Sequence, residues 1–86
     1  MKELEKNFKA LANKRRLAIL KYLKTKKEAS VGDIAEKINL SLKSTSRHLG
    51  VLAAADILEK EQRSLQVFYR LAATQKFITK HLLTIL

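Results

Sequence analysis

Lys43, Ser44 and Arg47 are the residues whose types and spacing most clearly suggest chemistry. In the stretch LSLKSTSRHLGVLAAADIL a helical period brings these three to one side and sends Thr45, Leu49 and Leu52 to the other. The arginine fork matches the two acceptors on a guanine edge in the major groove, while lysine and serine add charge and adaptable donors. Such a face suits reading of double-stranded DNA. Thr45 borders it, directed inward yet within reach of a thymine methyl group. His48, on the same border, suits packing or a phosphate contact. Ser41 is a helix cap and, at the positive end of the helix, a phosphate site as well. Gly50 lies outward, where alanine would be better by about 1 kcal/mol. Close approach of a DNA backbone accounts for the glycine, and so does neutral drift.

The flanking residues dictate how this face is held. Ser30 and Asp33 form a capping-box pattern, and Ile34, Ala35 and Ile38 give the helix over residues 31–38 one apolar stripe. Asn39 suits a left-handed stop, and Ser41 with Ser44 starts the next helix, over 42–54, almost at once. A join that short makes the helices cross steeply, which is helix-turn-helix geometry.

Upstream, Leu4, Phe8 and Leu11 predict a helix over 3–12. Asn13 caps a second helix over 14–24 that carries Leu17, Ile19, Leu20 and Leu23, and residues 25–29 read as a polar connection. After Asp56 the period changes. Residues 57–61 and Gln66–Leu71 suit a β-hairpin with 62–65 at its tip, where Arg63, with Lys60 and Gln62 nearby, is placed to reach the minor groove or flanking phosphates. Thr74 is a cap for a last helix over 75–86, whose face of Phe77, Ile78, Leu82 and Ile85 is broad and apolar. The first helix covers part of that face, and a second copy of the chain is the natural cover for the rest. The expected fold is α+β, mainly helical: a single winged helix-turn-helix domain over residues 1–86 with a hairpin wing.

Composition narrows the partners. Ten excess positive charges on 86 residues favour a polyanion. They are unevenly spread: residues 1–27 carry +8, 28–58 carry −1 and 59–86 carry +3. Most cations therefore lie outside the reading unit. Lys14, Arg15 and Arg16 open the second helix beside its positive dipole end, an unfavourable place unless they meet phosphate or an acidic partner across a dimer. Lys26 and Lys27 just precede the reading unit and suit the DNA backbone. No apolar run is long enough to span a membrane and the basic residues form no single amphipathic face, so no membrane partner is expected and a cytoplasmic location is. With no cysteine there are no disulfides or thiolate sites, and His48 and His81 have no acidic companions at metal-ligand spacing; no cofactor or metal is expected. Catalytic carboxylate pairs, a Ser-His-Asp set and a phosphate-cradling glycine loop are missing as well, which argues against an enzyme.

Most of the chain also resembles a known family. FKALANKRRLAIL is similar to the opening of arsenic-repressor-type (ArsR/SmtB) regulators, SVGDIAEKINLSLKSTSRHLGVLAAADIL to their reading unit and QVFYRLA to the end of their wing. The segment Ser46-Arg47-His48-Leu49 followed by Val51-Leu52 is the most specific part. The resemblance implies a homodimeric repressor of a palindromic operator, paired through residues 1–12 and 75–86, with Leu4, Phe8, Phe77, Ile78, Leu82 and Ile85 in the interface. Members release DNA on binding a ligand, often a metal ion. Where metal-sensing members carry a cysteine-rich motif this chain has Val31-Gly32-Asp33-Ile34, and its last helix offers His81 without a carboxylate, so the resemblance carries over no metal and names no inducer. Asp56 stands where the family usually ends the reading helix with glycine. Two other readings fit the charge: a non-specific architectural nucleic-acid binder, and a winged-helix module that meets an acidic protein.

Overall fold

The computed structural model describes residues 1–86. In chain order the elements are α1 (Lys2–Leu11), α2 (Lys14–Lys26), β1 (Glu28–Ser30), α3 (Val31–Ile38), α4 (Leu42–Ala54), β2 (Leu58–Arg63), β3 (Gln66–Leu71) and α5 (Phe77–Ile85). The strands form one antiparallel sheet in the order β1-β3-β2. This is the winged helix-turn-helix architecture expected from the sequence.

Local chemistry explains most boundaries. The Asn13 side chain accepts from the backbone N–H groups of Arg15 and Arg16, so α2 starts where the cap stands. Ser30 accepts from Asp33 N–H at 3.2 Å, the forward half of a capping box. Asn39 has φ 56° and ψ 56°, and Leu40 N–H reaches back to the Ala35 carbonyl, which closes α3 in the left-handed manner. Asp56 takes φ 61°, with Ile57 N–H bonded to the Leu52 carbonyl, and closes α4 in the same way.

One core holds these elements together. Ile19, Leu20 and Leu23 of α2, Ile34 of α3, Leu49 and Leu52 of α4 and Ile57 are all sealed from solvent, and Leu58, Tyr69 and Ala29 close it from the sheet. Burial of each large aliphatic side chain contributes about 1.5–3 kcal/mol. Because α4 supplies Leu49 and Leu52 to this core, its opposite face is held rigidly outward.

The structure corrects three expectations about the elements. The stretch 25–29 is not all connection: Glu28, Ala29 and Ser30 pair with Arg70, Tyr69 and Phe68 as strand β1. Three residues are too few to show a strand period, and only the exposed edge of β3 gives them a partner. The hairpin tip is narrower than 62–65, because Gln62 and Arg63 pair with Val67 and Gln66 and leave a turn at Ser64 and Leu65. Ser64 has φ 57° there, a position glycine usually takes. Finally, α5 starts at Phe77 with Lys76 before it, and Thr74 caps nothing. The Gln75 amide instead donates to the carbonyls of Ile57 and Ala72, both at 2.9 Å, and this anchor holds the segment extended for longer.

Candidate nucleic-acid interface

Only Asn39, Leu40 and Ser41 separate α3 from α4. The Ser41 hydroxyl accepts from Ser44 N–H at 3.1 Å and caps the reading helix. Lys43, Ser46, Arg47 and Gly50 are exposed along the outward ridge of α4, and Ser44 is half-buried beside them. Leu42, 61% exposed, extends the ridge at its first turn. The helix has no acidic residue and no carboxylate pairs with Lys43 or Arg47, so both cations are free. A Cβ built on Gly50 meets nothing within 4 Å. The fold itself therefore has room for alanine there. In the sequence Ser46 stood out only as part of the segment that resembles the family, because a lone serine carries no surface pattern of its own.

Thr45 leaves the contact set. It is fully buried, and its hydroxyl finds no hydrogen-bond partner. His48 is only half-buried, but one edge of its ring is already occupied: Nδ1 accepts from Arg16 Nε at 3.1 Å. Burial, then the positive charges of Arg16, Arg47 and Arg15, hold its pKa below the usual 6.5. At neutral pH the ring is uncharged. The Arg16 guanidinium also donates to the carbonyls of Lys9 and Ala10 at the end of α1.

The wing differs from expectation in its charge. Arg63 is not a free cation at the tip. It forks onto Glu28 at 2.5 and 2.9 Å, reaches Glu61 at 3.0 Å and lies over the Phe68 ring. Arg70 pairs with Glu59 and Glu61. The Arg63 hydrogen bonds hold Glu28 and Glu61 below the ordinary carboxylate range and raise the arginine. β1, which the sequence did not reveal, is what brings Glu28 to Arg63. Lys60 remains the exposed, unpaired cation of the hairpin.

The other cations expected to meet the DNA backbone lie along α2 and at its end. Lys14, Lys26 and Lys27 are exposed and Arg15 is half-buried, none of them in an ion pair. Arg15 acts on His48, so the start of α2 lies beside the reading helix. Lys26 is at the far end of α2, about 18 Å along its axis at 1.5 Å per residue. Between them runs an open groove of about 640 Å³ walled by Arg15, Lys21, Lys26 and Lys37, with the Lys37 ammonium 5.9 Å from the centre of the Tyr22 ring.

On α1 and α5, Phe77, Ile85, Phe8 and Ile78 are 80, 70, 48 and 39% exposed, while Leu4 and Leu82 are half-buried. Leu82 also packs on the core, together with Leu83 and Leu86. Beneath this surface Asn7 of α1 and Thr79 of α5, both buried, hydrogen-bond to each other, and the Asn7 amide donates to the carbonyl of Ala55 at the end of α4. Neither residue stood out in the sequence. A polar residue at matching depth in each of two amphipathic helices was the available signal.

Comparison with known proteins places this geometry. A family described as a helix-turn-helix domain matches residues 11–61, from the last turn of α1 into β2. The transcriptional activator HlyU of Vibrio cholerae is 35% identical over 82 residues, covering 87% of this chain and 75% of the relative. The arsenical resistance operon repressor of Bacillus subtilis is 31% identical over 71 residues, covering 83% and 68%. The chain belongs to the ArsR-type winged helix-turn-helix regulators. Members of this family are DNA-binding transcription regulators and not enzymes. Among solved structures, a homodimeric winged helix-turn-helix DNA-binding domain from Mycobacterium bovis superposes with a TM-score of 0.83 at 28% identity, covering 98% of this chain and 74% of that one. The family match spans α2 to α4 and the first four residues of β2, so it includes every residue of the α4 ridge.

Proposed function

We propose that this ArsR-type regulator is a homodimeric repressor that binds a palindromic operator with α4 of each copy in a major groove. The observation that carries the reading is the α4 ridge, where Lys43 and Arg47 are exposed and unpaired on a helix whose other face is locked into the core. Arg47 reads a guanine edge, and Lys43, Ser44 and Ser46 add donors around it. Ser41 and the α4 N-terminus meet a phosphate. Lys14, Arg15, Lys26, Lys27 and Lys60 are the backbone contacts, which supply most of the affinity and a steep salt dependence but no sequence preference. Arg63 joins them only by leaving Glu28 and Glu61.

Leu4, Phe8, Phe77, Ile78, Leu82 and Ile85 form the pairing surface, and the two-fold axis through it sets the half-sites about one helical turn apart, about 34–36 Å. A dimer seated there blocks polymerase wherever the operator overlaps a promoter, which is how such binding represses.

Selection of bound duplexes from a random pool tests the proposal. A two-fold symmetric consensus that outcompetes random DNA by at least ~10³ is the expected result. Binding without a consensus would make the protein an architectural DNA binder, and no mobility shift even at low salt would leave its cationic face for an acidic protein.

A further inference from the structure

The Arg16–His48 bond joins two elements that otherwise do different work. Arg16 lies at the start of α2 and holds the last turn of α1 through the carbonyls of Lys9 and Ala10, at 3.1 and 3.4 Å. Its Nε–H is directed at Nδ1 of His48, one residue beyond Arg47 on the reading helix. An arginine nitrogen can only donate, so this Nδ1 must be the bare acceptor of a neutral imidazole and the ring proton must lie on Nε2. Nε2 has no partner within the chain, and it is not among the buried unpaired atoms, so it faces solvent.

We propose that Arg16 is a positioning residue for DNA binding, which fixes His48 as a neutral ring whose Nε2–H is permanently directed outward as a donor to a DNA phosphate beside the α4 ridge. The proposal rests on the DNA-binding reading given above. Every charged group that faces the ring is positive: Arg15 and Arg16 from α2 and Arg47 from α4 itself. α1 presents only carbonyls, which hold the Arg16 guanidinium in place. A phosphate arriving at Nε2 therefore meets a surrounding cationic field and a donor that needs no proton uptake, and the contact favours no base.

Protonation of Nδ1 would turn an acceptor into a second donor facing Arg16 and break the bond. Because the folded ring resists its proton relative to the unfolded one, the Arg16–His48 bond is in place at neutral pH and is lost only as pH falls through the lowered pKa of the folded ring, below the usual 6.5.

Nitrogen-15 correlation spectra of the His48 ring in the full chain, combined with two variants, test the proposal. At pH 7.5 the wild-type ring is expected to show a bare Nδ1 and a protonated Nε2. In Arg16→Met, which keeps the stem and removes every donor, the His48 titration should move up toward 6.5. His48→Asn retains an acceptor near the Nδ1 position but has nothing at Nε2. It should keep the wild-type melting temperature yet bind selected and random duplexes alike about 10- to 100-fold more weakly, the value of one hydrogen bond to a charged group. A proton found on Nδ1 would overturn the tautomer assignment whatever the protein does with DNA. Undiminished duplex binding by His48→Asn would overturn the phosphate contact. A wild-type chain that binds no duplex would remove the DNA reading and the contact with it, leaving the spectra to report on the ring alone.

Discussion

Arg47 and Thr45 are two positions apart on one helix and have opposite fates, because a helix rotates about 100° per residue. Arg47 is exposed with its fork unpaired. Arg47→Ala should cost about 1–3 kcal/mol of operator binding, concentrated at one base position, with little change on random DNA. Fluorescence titration against single-base variants of the selected site measures this, and an equal loss on every sequence would mean that Arg47 touches only backbone. Thr45 buries a hydroxyl that bonds to nothing. Thr45→Val keeps the shape and removes the unsatisfied group, so it should leave DNA binding unchanged and raise stability by about 1 kcal/mol in denaturant unfolding. A selective loss of DNA affinity would instead return Thr45 to the interface. The sequence gives both positions polar side chains; only the burial of the helix face separates them.

At the scale of elements, the turn ending α4 decides where the reading helix stops and the wing begins. Asp56 holds φ 61° with an exposed side chain. A non-glycine residue pays for that conformation, and glycine does not. Asp56→Gly should stabilise the domain by about 0.5–1 kcal/mol, with a rise in melting temperature of about 4–8 °C for each kcal/mol. Lowered stability would show that the carboxylate has a local role. The caps at Asn13, Ser30, Asn39 and Ser41 were legible because each depends on one or two neighbouring residues. β1 and the late start of α5 were not. β1 exists because β3 offers an edge, and α5 is delayed because Gln75 reaches back across 18 residues to Ile57.

For the molecule as a whole, the large exposed aromatic and aliphatic groups Phe8, Phe77, Ile78 and Ile85 are carried by α1 and α5, and the free cations of the proposed DNA contacts by α4, α2 and the wing. Asn7 hydrogen-bonds to Thr79 of α5 and to the carbonyl of Ala55 at the end of α4, so the two helices of the proposed pairing surface are tied directly to the proposed reading helix. Ile85, 70% exposed, makes a clean test. Ile85→Glu should leave the fold intact and yield a monomer in sedimentation. Its affinity for a two-half-site duplex should fall by about 100-fold or more, because the second half-site is no longer bound intramolecularly. A variant that still pairs and binds as before would place the pairing surface elsewhere.

The residues alone determined the helix-turn-helix, the hairpin and the outward placement of Lys43 and Arg47, since periodicity and capping act over a few residues and need no distant partner. Family membership was legible too, through the Ser46-Arg47-His48-Leu49 segment and the wording around it. Tertiary structure decided which charges stay free. It closed Arg63 onto Glu28, 35 residues away, set Arg16 against His48 across 32 residues and buried Asn7 with Thr79 across 72. Such pairings depend on the whole core bringing separate elements together, and a one-dimensional pattern holds no record of that distance.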